Sequence, residues 1–562
     1  MPRWDMTSDV FRLADRYVDE YAATDPTSAT FEGLPCEAGR LTDLSPEGWA
    51  VRAERDRRML RELDRLDAAS LDDADRRAVA VMRERLGVAL DEFDHGDWRR
   101  DLNTIASSLQ AVIEVMDLAD TDEAEGRHAL VTRLEAVPST LDGYRASLQA
   151  GLDIGDTVAL RQVRRAVEQT RSRAPHFVEV AESVAHDHAL GSRAHGAGAA
   201  AAAALGRFGD WLAEVYAPAA RTGDGVGRER YRRAQRTFLG ADPDPDEAYA
   251  WGWHRVHELR EAMRILAGQI VPGASLDEAL HHVEHDSDFA VTGIEAFRDW
   301  AQQHVENMTD VLGAEHFTLS PLQRRCEVRV APPGGATAAH YTGPSEDGTR
   351  PGIYWQPDLQ RERYPLWNQV TTANHEAVPG HHLQISQVVL GAAPLSRFQK
   401  MLAWTSGHGE GWALYAERLC HELGLLERPE AVLGYLSAAQ LRAVRVVIDI
   451  GVHCGIPLPA DAPVYAGQRW TWDAAFDLAR LCTGESPVEV ASEIDRYFGW
   501  PGQAPSYALG EREWLGARED ARQRAQQQGK PFDMAAFHAA ALGIGGMGLS
   551  TLRDEIALAF IP

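Results

Sequence analysis

Cysteine is scarce in this sequence of 562 residues. The five cysteines, at positions 36, 326, 420, 454 and 482, are widely scattered, and no two of them form a CxxC pair. An odd number of scattered cysteines is typical of free thiols in a reducing compartment and argues against a disulfide framework. The lack of closely spaced cysteines also argues against a zinc site built from thiolates.

The chain is also short of positive charge. Lys and Arg number 57 against 84 Asp and Glu, which gives a formal net charge of −27. Nucleic-acid binding needs clustered Lys and Arg to neutralise phosphates, so this balance argues against a nucleic-acid partner. The negative charge favours solubility and is compatible with cationic substrates, but it does not identify one.

Long apolar runs are missing as well. No stretch of 18 consecutive apolar residues occurs, so we predict no transmembrane helix and no membrane partner. The first residues, MPRWDMTSDVFRLADRYVDEY, carry acidic groups early and lack the apolar core of a secretory signal. With 44% hydrophobic and 25% charged residues, the composition is that of an ordinary soluble globular protein. Together these features predict a cytoplasmic protein.

Helical periodicity is the main structural pattern that is present. Across residues 1–320, apolar residues recur at three- and four-residue spacing with charges between them, as in 49–66, 72–91 and 127–152. The alanine run at 199–204 predicts a closely packed helix, because alanine is the best helix former; a linker is the alternative. This half of the chain is expected to be almost entirely helical.

The pattern changes near Cys326. Residues 326–332 and 353–356 alternate as strands do, and the segment 334–352 between them is rich in Gly, Pro, Ser and Asp. Helical patterns return after residue 366. The sequence therefore predicts a mainly α fold with a small antiparallel β-sheet.

Two motifs that follow this sheet carry the chemistry. The first is NHEAVPGHHLQ at 374–384, and the second is GEGWALYAE at 409–417. Imidazole nitrogens and a carboxylate oxygen are the usual ligands of a catalytic zinc that keeps one position open. We therefore predict one Zn²⁺ per chain, held by His375, His381 and Glu410.

The spacing of these histidines departs from the HExxH motif, in which ligands at i and i+4 share one helical face. His381 and His382 follow His375 by six and seven residues, which an undisturbed helix would not bring easily to one ion. Pro379 and Gly380 predict a break or bulge before the second ligand. We favour His381 over His382 as that ligand; the other histidine would support the ligands or contact substrate.

Two glutamates have predicted supporting roles. Glu376 adjoins a ligand, so its carboxylate can act as the general base that deprotonates the attacking water. Glu417 lies two turns after Glu410 and can accept a hydrogen bond from a ligand histidine; a solvated helix face is the alternative. A competing inverted motif, HxxEH, occurs at 281–285, but a polar turn follows it and no helix with a natural third ligand.

These motifs resemble those of a bacterial family known as domain of unknown function 885, whose members carry HExxPGHH-type and EGWALY-E strings. Three further blocks are similar to that family: DGTRPG at 347–352, RAVRVVID at 442–449 with His453, and RYFGWPGQAPSY at 496–507. The chain departs from the family pattern at 454–463, where a Trp-containing stretch is expected. The resemblance implies a metallopeptidase whose substrates are poorly known.

A more distant resemblance concerns the fold. The string at 409–417 is similar to the third-ligand helix of the glutamate-zinc peptidases, the gluzincins, which assigns the ligand role to Glu410. The helical character is similar to that of angiotensin-converting enzyme and the oligopeptidases, whose cleft lies between two helical lobes. This implies a large two-lobed metallopeptidase-like fold, with a helical lobe at 1–325 and a catalytic lobe at 326–562 in one continuous unit.

Those peptidases stabilise the oxyanion with a tyrosine or histidine downstream of the metal helix. Tyr507, Tyr497 and, less favoured, His453 occupy comparable positions here. A tyrosine near a Trp-Pro-Gly turn is, however, often only packed with its hydroxyl hydrogen-bonded.

Four side chains are candidates for substrate binding. Arg442 and Arg445 lie one helical turn apart and could bind a substrate carboxylate, or Arg445 could pair with Asp449 four residues later. His382 and Gln503 complete the set. The strands before the metal motif could also hold an extended peptide by strand addition.

The predicted function is a zinc-dependent hydrolase, most simply a peptidase, whose substrate is a peptide or small amide. The first alternative is a metal-dependent hydrolase of a non-peptide amide or ester, because the same activated water would serve. The second is a non-enzymatic helical protein that binds metal structurally, although such sites are usually closed by four protein ligands.

Overall fold

The computed structural model describes residues 8–187, 189–331, 338–345 and 348–560. Most of these residues are helical, so the predicted mainly α class is confirmed. Short 3₁₀ and π turns apart, the helices are α1 (Asp9–Thr24), α2 (Pro26–Phe31), α3 (Pro46–Leu63), α4 (Asp73–Asp94), α5 (Ser108–Glu114), α6 (Ala124–Leu152), α7 (Leu160–Val184), α8 (Gly191–Trp211), α9 (Arg228–Leu239), α10 (Pro245–Ile270), α11 (Leu276–His281), α12 (Ile294–Glu315), α13 (Gln369–Glu376), α14 (His381–Leu390), α15 (Arg397–Met401), α16 (Ser406–Glu422), α17 (Pro429–Cys454), α18 (Trp472–Cys482), α19 (Pro487–Gly499), α20 (Ser506–Gln527), α21 (Met534–Gly543) and α22 (Leu549–Ala559).

The described strands form two small sheets. β1 (Ala290–Thr292) pairs antiparallel with β5 (Arg363–Pro365). In the other sheet, β4 (Gly352–Gln356) lies between β2 (Cys326–Val330) and β3 (His340–Thr342), parallel to β2 and antiparallel to β3. The predicted sheet is therefore present, but it is mixed. We expected β2 and β4 to pair antiparallel, but β4 pairs antiparallel with β3, which lies within the Gly- and Pro-rich segment. Strand β2 pairs with the other side of β4 and runs parallel to it.

Three sequence predictions fall partly outside the described residues. Pro332 of the predicted strand at 326–332 and Asp347 of the loop at 347–352 are not described, and neither are the first seven residues, on which the absence of a secretory signal partly rests.

The chain divides into two compact units. The first comprises Met1–Gly227, Ser396–Leu402 and Ser492–Pro501, and the second comprises Arg228–Leu395, Ala403–Ala491 and Gly502–Pro562. This division differs from the predicted lobes at 1–325 and 326–562. Helices α9 to α12 join the second unit, because α10 packs along α17 and α12 packs against β2 and α13.

The first unit is a helical bundle with an apolar core. Its central contacts join α8 to α6 and α7. At Gly198 in α8, an added Cβ would lie 2.5 Å from the Cβ of Ala181 in α7. Helices α7 and α8 therefore approach more closely here than a larger residue would allow. The alanine run at 199–204 is part of this contact, which confirms the packed helix and excludes the linker.

The second unit is built around α17 and α16. Helix α17 is long and apolar enough by composition to cross a membrane, but most of it is buried in the protein, as in the core helix of a soluble domain. Helix α16 crosses α20 at Gly411, where an added Cβ would lie 2.4 Å from the carbonyl carbon of Gly510. This close crossing fixes α16, which carries Glu410, against the rest of the unit.

Candidate metal centre

The helix that carries the first motif is broken, as predicted. Helix α13 ends at Glu376 and α14 begins at His381, with four residues between them. Across the break, the N–H of Gly380 donates to the carbonyl of Asn374 at 2.9 Å. A Cβ on Gly380 would lie only 1.9 Å from the carbonyl oxygen of His375, so the chain can return this closely only at a glycine.

The second motif holds this break in place. Trp412 on α16 donates its indole N–H towards the carbonyl oxygens of Pro379 and Gly380, at 2.9 and 3.2 Å. The Trp412 ring is fully buried, edge-on to Phe317 and Trp514. The two motifs are therefore joined by a buried hydrogen-bonded contact that the sequence alone did not reveal.

Three ligand atoms converge where α13, α14 and α16 meet. The Nε2 atoms of His375 and His381 lie 3.3 and 3.4 Å from Oε2 of Glu410, and all three ligand atoms lie within 4.8 Å of one another. Ligands held about 2.0–2.1 Å from a tetrahedral zinc ion are about 3.3–3.4 Å apart. The two nitrogen-to-oxygen distances thus match the spacing of zinc ligands, and the three predicted ligands are brought together.

The donor set also suits a cation. Oε2 of Glu410 is buried without a hydrogen-bond partner among the described residues, which is costly for a carboxylate unless a positive charge compensates it. Burial raises the pKa of Glu410, but the imidazoles of His381 and His375 outweigh it and hold the pKa well below its usual range. Within the described part of the chain, this is the one such cluster of His, Cys, Asp or Glu side chains.

Glu417 orients the first ligand. Its Oε1 accepts the Nδ1–H of His375 at 2.8 Å, and the hydroxyl of Thr371 donates to its other oxygen. This contact leaves Nε2 of His375 free to face Glu410. Burial lowers the pKa of His375, but its contacts with Glu410 and Glu417 raise it to about 10. Glu417 is only 3% exposed, so the alternative of a solvated helix face is wrong.

Arg442 supports the same carboxylate. Burial raises the pKa of Glu417, but the hydrogen bond from His375 and the charge of Arg442 lower it below its usual value. One guanidinium nitrogen of Arg442 donates to the carbonyl of Ala438 on its own helix, at 3.2 Å. Arg442 therefore supplies a positive charge that keeps the Glu417 carboxylate ionised. Its predicted contact with substrate stays a prediction.

Glu376 is half-buried at the end of α13, directly after the first ligand. Loss of hydration raises its pKa, Glu410 adds to this, and His375 and His381 partly oppose it. A carboxylate whose pKa is moved towards neutrality is better matched to proton transfer near pH 7. The environment of Glu376 therefore suits the predicted general base.

Tyr507 and Arg445 lie beside the cluster. The Tyr507 ring is nearly parallel to that of His375, with centroids 6.5 Å apart, and the Arg445 guanidinium lies 4.6 Å from the centre of the Tyr507 ring. Asp449, the predicted partner of Arg445, accepts the backbone N–H of Gly502 at 3.0 Å. The Tyr507 ring therefore lies beside a predicted ligand residue, which suits its predicted role as the oxyanion donor.

His382 differs from the prediction that it contacts substrate. Its Nδ1 accepts the Tyr341 hydroxyl at 2.9 Å, and its Nε2–H donates to the Gln323 carbonyl at 2.8 Å. Burial lowers its pKa to about 4. Because both ring nitrogens are used and the side chain is 1% exposed, His382 has no group left for a metal or a substrate.

The other candidates have local structural contacts. His453 is buried and stacks on Tyr231 at 5.9 Å. Tyr497 belongs to the first unit, where its hydroxyl donates to Glu493 on the same helix. Gln503 is buried at the turn before α20, where its carbonyl accepts the hydroxyl of Ser506 at 2.6 Å. The roles predicted for these residues stay predictions.

The inverted motif does not assemble a comparable cluster. The rings of His281 and His285 lie 4.6 Å apart, but the carboxylate of Glu284 accepts the indole N–H of Trp367 at 2.9 Å. No third ligand joins the two histidines within the described residues.

Residues 26–556 of the chain match the family described as "Bacterial protein of unknown function (DUF885)". The chain belongs to the DUF885 family. The resemblance carried by the two motifs and the three further blocks is thereby confirmed at the level of the family, and metallopeptidase character is taken up below as a proposal.

Two solved structures share the fold of this DUF885 chain. One is described as the putative lipoprotein from Colwellia psychrerythraea, with a TM-score of 0.82, 22% identity, and coverage of 98% of this chain and 99% of that one. The other is described as a putative lipoprotein of unknown function from Shewanella oneidensis, with a TM-score of 0.78, 18% identity, and coverage of 98% and 100%. At these identities the likeness shows the fold alone. None of the curated proteins matches the chain.

The cytoplasmic location predicted for the DUF885 chain is contradicted by these neighbours. Both are described as putative lipoproteins, a class of protein that is attached to a membrane through lipid rather than dissolved in the cytoplasm. The features behind the prediction, scattered cysteines and an ordinary soluble composition, describe a folded domain and carry no information about an anchor. The predicted cytoplasmic location is therefore wrong.

Proposed function

We propose that this DUF885 protein is a zinc-dependent hydrolase that acts on peptides. The observation that carries the proposal is the convergence of His375, His381 and Glu410, with Nε2-to-Oε2 distances of 3.3 and 3.4 Å. Three protein ligands leave one position of a tetrahedral ion open, as in catalytic zinc sites.

The zinc, when bound at these three residues, would supply a Lewis acid that acidifies water and polarises a carbonyl. Glu376 accepts the proton of the attacking water and then delivers it to the leaving amine. Glu417 keeps His375 in the orientation that its role requires. Tyr507, packed against His375, is the candidate donor to the developing oxyanion.

The sheet next to the ligands favours peptides over smaller amides. Strand β3 is at the edge of its sheet within the described residues, and the Tyr341 hydroxyl on β3 bonds to His382, the neighbour of the ligand His381. An extended peptide can pair with such an edge through its main chain. This supports a substrate that runs as a strand past the metal.

Metal content tests the site first. Mass spectrometry of the zinc-loaded protein should find about one zinc per chain, which His375→Ala should lose. The matched control is His281→Ala, in the inverted motif, which should keep the metal. Wild-type protein that takes up no zinc, or equal loss in both variants, would overturn the proposed site.

Activity tests the reaction. A library of unmodified peptides should be cleaved by the zinc-loaded wild type, and Glu376→Gln should keep the zinc while losing about 10²–10⁴-fold of the rate. Full activity of Glu376→Gln would show that another group is the base. If no peptide is cleaved but esters or non-peptide amides are turned over, the alternative hydrolase replaces the peptidase.

A further inference from the structure

Trp404 is an exposed aromatic residue beside a proposed metal ligand. Its side chain is 48% exposed, and its ring centroid lies 5.9 Å from that of His381 at an interplanar angle of 58°. Single exposed apolar side chains are common on protein surfaces and need no explanation in themselves. The contact with a ligand ring is what distinguishes this one.

The exposure of Trp404 is imposed by a well-packed backbone. Its neighbours Ala403 and Thr405 are 0% and 2% exposed, and the Thr405 hydroxyl donates to the Met547 carbonyl at 2.9 Å. A Cβ at Gly546, the residue before Met547, would lie 3.0 Å from the carbonyl oxygen of Ala403, so the same segment covers this backbone at two points. The indole is therefore held at the surface of the site by buried residues on both sides.

The ring also lies directly over the start of the third-ligand helix. A Cβ on Gly409 would lie 1.9 Å from Cη2 and 2.3 Å from Cζ2 of Trp404. Glycine at this position lets the indole approach the backbone of the residue before Glu410. The indole thus reaches from the ring of one ligand, His381, to the residue that precedes another.

We propose that Trp404 forms the wall of a subsite that binds an uncharged aromatic or apolar side chain of the substrate next to the bond that is cleaved. An indole face offers apolar area and a π surface, which attract aromatic rings and aliphatic groups. This inference rests on the proposed function and deepens it by naming the side-chain class that the site selects.

Two hydroxamates test the subsite without relying on turnover. Acetohydroxamate offers a metal-binding group alone, and 3-phenylpropanohydroxamate adds an aromatic ring at the distance of a neighbouring side chain. Calorimetric titration of the zinc-loaded protein should give a phenyl ligand that binds about tenfold more tightly than the methyl ligand. In Trp404→Ala this ratio should fall to about twofold or less, and Trp404→Phe, which keeps an aromatic face, should retain most of it.

The outcomes separate the two levels of the proposal. If zinc-loaded wild type binds neither hydroxamate, the proposed metal function fails and the subsite falls with it. If wild type binds both ligands equally, or if Trp404→Ala keeps the full ratio, the subsite is overturned while the metal site stands. A ratio that is lost in Trp404→Ala and kept in Trp404→Phe, with zinc content unchanged in both, supports the subsite.

Discussion

Replacing Glu417 by Gln should weaken the proposed binding of zinc, although Glu417 is not itself one of the three predicted ligands. Its Oε1 accepts the Nδ1–H of His375 at 2.8 Å, and it also accepts the hydroxyl of Thr371. An amide oxygen can still accept one hydrogen bond, but it no longer brings the negative charge that makes the imidazole a stronger ligand.

The magnitude follows from what each variant removes. Loss of such a supporting group costs about 10–100-fold in metal affinity, or about 1.4–2.7 kcal/mol. Glu417→Gln keeps the shape and one acceptor, so we expect the lower end, about tenfold. Glu417→Ala also leaves the buried Nδ1–H of His375 without a partner, so we expect about 100-fold.

Competition with a fluorescent zinc chelator at fixed pH measures the dissociation constants. The matched control is Glu422→Gln on the same helix, because the Glu422 carboxylate pairs with Arg518 at 2.8 Å instead of with a predicted ligand. Zinc affinity of Glu417→Gln within about twofold of wild type, or an equal loss in Glu422→Gln, would refute the argument from ligand orientation.

Three other changes have defined outcomes. Gly380→Ala places a Cβ 1.9 Å from the carbonyl oxygen of His375, so it should lower both the melting temperature and the zinc content, whereas Gly424→Ala, also in the second unit, should leave the zinc content unchanged. Trp412→Phe keeps a smaller aromatic ring but removes the indole N–H from two buried carbonyls and leaves a cavity, which should together lower the free energy of unfolding by at least about 1–3 kcal/mol in denaturant titrations; an unchanged midpoint would contradict this. Burial lowers the pKa of His538 to about 3, so the unfolded chain binds a proton that the folded chain does not. Stability should fall as the pH drops below about 6.5, and the decrease between pH 7 and pH 5 should be smaller by about 2 kcal/mol in His538→Gln; equal decreases would contradict the shift.

The parts of the site that depend on local patterns could be predicted from the sequence. The ligand types, the adjacent Glu376 and the break at Pro379 and Gly380 all follow from residue chemistry within a few positions. The helical pattern after residue 366 also indicates the helices that flank the break, although apolar periodicity alone does not show where one helix ends and the next begins.

The parts that depend on contacts between distant segments could not be predicted. The use of both nitrogens of His382 needs Tyr341 and the carbonyl of Gln323, which approach only when β3 and α14 are packed. The hydrogen bonds of the Trp412 indole likewise join it to Pro379 and Gly380, which lie 33 and 32 positions earlier in the chain. Strand β3 has only three residues within a Gly- and Pro-rich segment, so no local sequence pattern predicts that it pairs with β4.

The hydrogen bonds from Trp412 to the break between α13 and α14 have a consequence for how the site assembles as the chain folds. While α16 is undocked, Glu410 is absent from the cluster and the carbonyls of Pro379 and Gly380 lack their donor. Before α16 docks, His375 and His381 therefore lack the third predicted ligand. If zinc binds as proposed, we expect its capture to follow the docking of α16, because the third ligand arrives only with that helix.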